Sequence, residues 1–513
     1  MSKPLYSFHS FMFPFRWDYL SRNKKREDIP YSERTELADF DRIFSGNGLL
    51  NRVPYRIDRN NEKYNEYTYF HSFVRRAMFF THADDLSRSE IVYYERDGGT
   101  GDYFRIAILN QEPLELDLDS ICLHIYSTGV GILTYNVNNF RYPEKATILK
   151  INEYGRRIYP QFLAGRDVSV TKSAFLADYI EVKAGHRYMR EDFSGYNHPV
   201  RTEETFLPPD HIRSIFGVGK DFVFHREQEK KGRIKISKLT DDRMFFVSWY
   251  GNDNSKKIIS PLVEARGSLY PSGSEKLYSD WWYCYLFGDK SGPSVKNTNW
   301  MNRDFEAATN ARWAGYGTLY GSTRDSFVAI SHSRENLVPD ISVHTRTMYY
   351  QMAVLCLAQR ASILRFSYEI GTISNELDKG SPSSPKIRDL YKNYIHFINK
   401  IYFREVTSQI QGIEIYSQMQ QAMNLQKEMG DLDKEVSELH NYANMVEQGR
   451  LSRVANWFLP AGVIAGFLGM NVFGEEDRMQ IKFLPGDLDI VFWILMMAGL
   501  SWLSVFITKR IKK

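Results

Sequence analysis

The chain has 513 residues, of which 25% are charged and 15% aromatic, with a formal net charge of +4 and a mean hydropathy of −0.43. Apart from two apolar tail segments, about 450 residues have the composition of globular protein, enough for one large core or two smaller ones. So small a net charge without a long basic run speaks against a nucleic-acid-binding surface, and three widely spaced cysteines, Cys122, Cys284 and Cys356, form neither a disulfide framework nor a metal-ligand pattern and are expected as buried reduced thiols.

Met1 to Tyr19 is aromatic but interrupted by Pro4 and Pro14, so no cleavable signal peptide is expected. The Arg22 to Arg26 cluster reads as a solvated turn. Apolar, β-branched and aromatic runs then recur and predict strands at Tyr103 to Leu109, Ile121 to Tyr135, Tyr179 to Val182, Phe222 to Phe224, Met244 to Trp249, Trp281 to Phe287 and Ser326 to Ile330. Asp97-Gly98-Gly99-Thr100-Gly101 and Lys230-Lys231-Gly232 are turn signals expected to close hairpins. Residues 1–345 thus read as an α/β domain. Trp281-Trp282 and the many tyrosines are expected in the core or at subunit contacts, and His124 and His332 as satisfied core imidazoles. With no His-Glu-x-x-His, Gly-x-Ser-x-Gly or Cys-x-x-Cys, catalysis is not expected.

From about Val343 the pattern turns helical: Met348, Met352, Leu355, Ile363 and Phe366 recur at helical spacing until the breaker Asp378-Lys379-Gly380-Ser381-Pro382-Ser383-Ser384-Pro385. A second helix is expected from Lys386 and a third from about Glu405, unbroken to Pro460 or beyond. In it Leu425, Met429, Leu432, Val436, Leu439, Ala443 and Val446 alternate spacings of four and three, a coiled-coil seam whose partner is either a helix of the same chain or a bundle about a symmetry axis. Residues 346–450 therefore read as a helical hairpin and stalk. The tail, residues 451–513, carries two apolar segments without charged side chains, Val454 to Met470 and Ile490 to Thr508, each near the lower limit for crossing roughly 30 Å of hydrocarbon. Arg450 and Arg453 before the first and Lys509, Arg510, Lys512 and Lys513 after the second predict two transmembrane helices with both termini cytoplasmic.

The stretch from Leu451 through Pro460 to Gly469-Met470-Asn471, with a second apolar segment behind it, resembles the pore-helix exit of the CorA family of divalent-cation channels. The resemblance is clear over about residues 400–513. It implies an α/β cytoplasmic domain, here enlarged over about residues 201–310, a helical stalk and a multi-pass homo-oligomer, expected to be a pentamer, in lipid of the cell's inner membrane. Mg2+ or a related divalent cation would be the transported ion, with no resident cofactor. Gly469, Met470 and Asn471 would set ion selectivity, Asn471 holding the hydrated cation through its waters. Leu451, Ala455, Leu459, Gly462 and Gly466 share one face, lining a path or making tight helix contacts. Glu475, Glu476 and Asp477 would concentrate cations at the mouth, or form a solvated loop. The chain departs from that family at Gly462, where a hydroxyl is common, at Asn444 and Met445, where a polar ring is usual, and in the linker after Asn471.

These departures and the aromatic N-terminal region resemble a CorA-like subgroup associated with type III CRISPR defence, which is thought to answer a nucleotide second messenger. An adenine-containing ligand calls for aromatic faces and arginines, which Arg312, Trp313, Tyr316 and Arg324 supply around Gly315-Tyr316-Gly317-Thr318-Leu319-Tyr320-Gly321. That glycine pattern lacks a P-loop lysine, and a tight strand turn is its simpler reading. A non-conducting, membrane-tethered binding protein is the third alternative.

Overall fold

The computed structural model describes residues 4–20, 37–45, 49–55, 62–81, 86, 89–158, 176–193, 207–217, 221–224, 232–239, 242–264, 276–333, 341–378, 384–469, 495, 499 and 502. They divide into two compact units, Met1–Thr372 with Asp389–Lys434, and Ile373–Arg388 with Glu435–Lys513.

The first unit is built on a mixed sheet. Its strands in chain order are β1 (Ser7–Tyr19), β2 (Asn51–Arg52), β3 (Ile91–Asp97), β4 (Tyr103–Ala107), β5 (Leu114–Tyr126), β6 (Val130–Asn139), β7 (Tyr179–Ala184), β8 (Arg187–Asp192), β9 (Phe222–Val223), β10 (Ile234–Lys238), β11 (Phe245–Gly251), β12 (Thr309–Asn310), β13 (Leu319–Thr323) and β14 (Ser326–Ser331). The main path runs β12-β13-β14-β11-β1-β6-β5-β4-β7-β8. Around it stand α1 (Leu37–Phe44), α2 (Glu62–Tyr69), α3 (Arg75–Met78), α4 (Lys145–Gly155), α5 (Asp210–Arg213), α6 (Ser255–Glu264), α7 (Lys276–Phe287), α8 (Thr298–Ala308), α9 (Ile341–Arg346), α10 (Met348–Asp378), α11 (Ser384–Lys400), α12 (Ile410–Ala422) and α13 (Leu425–Gly469).

The aromatic N-terminal segment is the centre of this sheet. β1 pairs along one edge with β6; along the other it pairs with β11 from Ser7 to Met12 and with β10 from Phe15 to Tyr19. Pro14, which has no amide proton to give, falls in the gap between those two partners, so a proline sits inside a central strand without removing a ladder bond on that side. β10 and β11 lie within the stretch expected as an insertion, yet they flank β1 and are integral to the sheet.

The run Ile121 to Tyr135 is two strands, β5 and β6, joined through Gly129 at φ 75°. A β-carbon at Gly129 would overlap the guanidinium of Arg365 on α10. The glycine turn after Asp97 closes no hairpin: β3 and β4 both pair with β5, in line along one edge. Gly98 lies so close to the Leu118 carbonyl that a side chain would collide with it. Likewise β9 and β10 pair in parallel rather than as a hairpin. Trp281 to Phe287 is helical, within α7, where Trp281 stacks on Tyr285 at 5.1 Å and Tyr283 on Phe287 at 4.4 Å. An unbroken apolar run has no period of two, and burial on all sides suits a helix as well as a strand.

The expected helical positions Met348, Met352, Leu355, Ile363 and Phe366 are all buried in α10. The expected third helix is divided between α12 and α13 by Asn424, whose φ is 57°. Within the first unit the seam residues Leu425, Met429 and Leu432 are buried, which favours partners in the same chain. In the second unit Val436 and Ala443 are buried, as are Ile373 and Ile387, and Arg388 meets Glu447 at 3.3 Å.

The tail corrects the sequence reading. No helix among the described residues is long and apolar enough to cross a membrane. The apolar part of α13, from Val454 to its end at Gly469, is shorter than the roughly 20 residues that span about 30 Å. This overturns the expected two-span membrane domain and multi-pass inner-membrane location. Leu451, Ala455, Leu459 and Gly462 are exposed on α13, with Leu451 at 62% and Leu459 at 65%. Gly466 and Gly469 belong to the same helix. Met470, Asn471, Glu475, Glu476 and Asp477, with most of the second apolar segment, lie outside the described residues.

Candidate ligand site at the sheet edge

β12 and β13 form one edge of the sheet, and a short loop between them carries three of the four residues nominated for nucleotide binding. The Asn310 side chain accepts the Arg312 amide at 3.1 Å, turning the chain outward as β12 ends. Trp313 then enters a single 3-10 turn, Ala314–Tyr316, and Gly317 closes it at φ 78°, with Ser255 of α6 against the space a β-carbon would need. The glycine pattern is thus the tight turn expected, and the turn groups the side chains. The Trp313 and Tyr316 rings lie 5.8 Å apart at 55°, and the Arg312 guanidinium is 5.9 Å from the Trp313 ring. Tyr316 is 71% exposed. Arg312 is held by Glu414 of α12, which lies along this edge, with Gln411 donating to the Tyr320 hydroxyl at 3.1 Å.

Arg324 is not part of that group. It sits at the far end of β13, in the turn to β14, and meets Glu428 of α13 at 3.4 Å. Two arginines absent from the sequence reading attend this turn. Arg360 of α10 donates to the Arg324 carbonyl at 3.0 Å and faces Asp325 at 3.5 Å. Arg243, just before β11, is drawn to Asp242 first and then to Asp325, which raises its pKa against the opposing effect of burial. The only local signal for Arg360 was an arginine inside the apolar stretch of α10; its neighbours come from distant strands.

Two buried clusters have the residue types of catalysis without its access. Ser7, His9 and Asn152 line up as hydroxyl, imidazole and amide, at 2.8 Å and 2.6 Å, but all three are fully buried and Ser7 also accepts from Asn139 at 2.9 Å. Burial pushes His9 down to about 4, opposed by its bond to Asn152. The cluster ties β1 to α4 and, through Ser248 and Tyr285, to β11 and α7. On the opposite face of β1, Ser10 donates to Asn136 at 2.6 Å, Asn136 to Ser120 at 2.9 Å, and Tyr93 to the Cys122 sulfur at 3.1 Å. Burial holds the Cys122 thiol up at about 12, so it is no nucleophile at neutral pH. His124, pushed down to about 3 by burial, packs 4.8 Å from Tyr93, and its Nδ1 has no hydrogen-bond partner, contrary to the satisfied imidazole expected. His332 is partly exposed, 3.8 Å from Asp253. All three cysteines are free and buried.

Among the described residues, no three His, Cys, Asp or Glu side chains converge as metal ligands. Compared with models of known families, with curated proteins and with solved structures, the chain has no match.

Proposed function

We propose that the chain is a non-catalytic receptor for a nucleotide-class ligand, read by Arg312, Trp313 and Tyr316. The observation that carries this reading is an exposed pair of aromatic rings 5.8 Å apart with a guanidinium beside them. A base would stack on the rings, and a phosphate would compete with Glu414 for Arg312. Both members of that ion pair are substantially exposed, and such pairs contribute about 0–1 kcal/mol, so exchange is inexpensive. Glu414 lies near the start of α12, so loosening this contact removes one tie between that helix and the sheet edge. Self-association, implied by the CorA resemblance, is part of the same reading, with exposed Met445, Leu451 and Phe458 on α13 available for it.

Calorimetric titration of adenosine, AMP and ATP into the full chain, with sedimentation before and after, tests the proposal. AMP should bind more tightly than adenosine, and Trp313→Ala and Arg312→Ala should each weaken AMP about tenfold, in keeping with about 1–3 kcal/mol per stacked base or charged hydrogen bond. Variants that bind like the wild type, or a wild type that binds none of the three, would refute the site. A chain that sediments as a monomer with and without ligand would refute the assembly.

A further inference from the structure

We propose that Arg243, Arg324 and Arg360 form a second anion site at the turn between β13 and β14, which takes a phosphate-class anion in competition with Glu428 of α13. It is separate from the aromatic loop and does not depend on it.

Three guanidinium groups attend this turn: Asp325 and Glu428 face Arg360, Glu428 faces Arg324, and Asp242, then Asp325 and Glu153, act on Arg243. Asp242, the nearest partner of Arg243, is also bonded by Arg157. The pairing is loose. Arg360 to Asp325 is 3.5 Å, Arg324 to Glu428 is 3.4 Å and Arg243 to Asp242 is 3.3 Å. Elsewhere in the unit Arg105 meets Glu115 at 2.6 Å and Arg52 meets Asp41 at 2.7 Å. Two buried atoms remain without hydrogen-bond partners, the Arg360 Nε and the second carboxylate oxygen of Glu428. A guanidinium with an unused donor and a carboxylate that reaches its arginine with one oxygen form an incomplete ion pair.

A phosphate group corrects that mismatch. Its oxygens accept from several guanidinium groups at once, and planar forked donors suit it better than a single carboxylate does. Burial first and the neighbouring Arg324 second lower the Arg360 pKa, against the opposing pull of Asp325 and Glu428. The site is accessible, since the Arg324 side chain is about half exposed and that of Arg243 about one-third. Glu428 leaves Arg324 as the anion arrives, so occupancy acts on the first turn of α13.

The test is calorimetric titration of pyrophosphate into the full chain and into Arg324→Ala, Arg360→Ala, Glu428→Gln and Trp313→Ala. Arg324→Ala and Arg360→Ala should each weaken binding about tenfold or more, the loss of one charged hydrogen bond. Glu428→Gln should tighten it by removing the competitor, and Trp313→Ala should leave it unchanged. Arg324 is exposed, so its variant remains informative if Arg360→Ala does not fold. The proposal is overturned if wild type takes up no pyrophosphate, if Arg324→Ala titrates like wild type, if Glu428→Gln fails to tighten binding, or if Trp313→Ala abolishes it. The last result would assign the anion to the aromatic loop.

Discussion

The two faces of β1 are both buried, yet they are held by different physics. On one face Phe11, Phe13, Phe15 and Trp17 project into an aromatic core with Phe104, Phe216 and Phe40. On the other, Arg16 lies 3.9 Å from the Tyr368 ring, and Arg365 bonds the Thr128 carbonyl at 2.5 Å and Glu369 at 2.9 Å while facing Asp18 at 3.5 Å. The period-two alternation of a strand ordinarily separates core from solvent. Here it separates a face dominated by buried aromatic rings from one dominated by buried ions and amides. The first tolerates changes of shape; the second does not tolerate the loss of a partner.

The largest test of that contrast is Arg365→Ala. Removing Arg365 from this buried network leaves Glu369 without its ion-pair partner and Asp18 with Arg16 alone, so the denaturant midpoint should fall by the equivalent of about 3–5 kcal/mol. Phe13→Leu, which trims the apolar face, should cost less than half of that. If the two variants unfold at similar denaturant concentrations, the distinction between the faces fails.

Acid sharpens it further. His9 on the aromatic face and His124 on the polar face have folded pKa values of about 4 and about 3, both depressed chiefly by burial from an ordinary 6.5. The unfolded chain binds protons below about 6.5 that the folded chain refuses. Their contribution to stability is therefore complete above pH 6.5 and is lost as the pH falls toward 4 and then 3. By pH 5 each imidazole should remove about 2 kcal/mol, at 1.36 kcal/mol per pH unit. Melting curves across this range for wild type and His124→Gln should diverge, the variant losing less; parallel curves would show that His124 takes up its proton without unfolding.

A smaller effect is expected at Cys122. With its thiol held near pKa 12, iodoacetamide should modify it at neutral pH only after unfolding, as a mass shift on its peptide reports. Rapid labelling of the folded chain would mean that the polar face opens readily.

Much of this organisation was legible along the chain. The helical spacing from Met348 to Phe366, the end of that helix at Asp378, the glycine turn at Gly317 and the buried thiols all follow from local period and turn chemistry. The mistaken hairpins at Gly98 and Gly232 follow from the same rules, because a turn signal says that the chain bends and not which strand it pairs with. The nominated arginines show a similar limit. Arg312 keeps its aromatic neighbours because one short turn carries all three, whereas Arg324 is set apart by the length of β13.

The sequence by itself determined the elements whose cause lies within a few residues, because sterics, period and backbone hydrogen bonding act at that range. Tertiary structure alone decided that a proline-bearing aromatic segment would be the central strand, that Trp281 and Trp282 would lie in a helix, that Arg360 would meet Arg324, and that the seam of α13 would find buried positions within its own chain. Each of those outcomes depends on partners tens to hundreds of residues away, and a partner's position is a property of the packed whole.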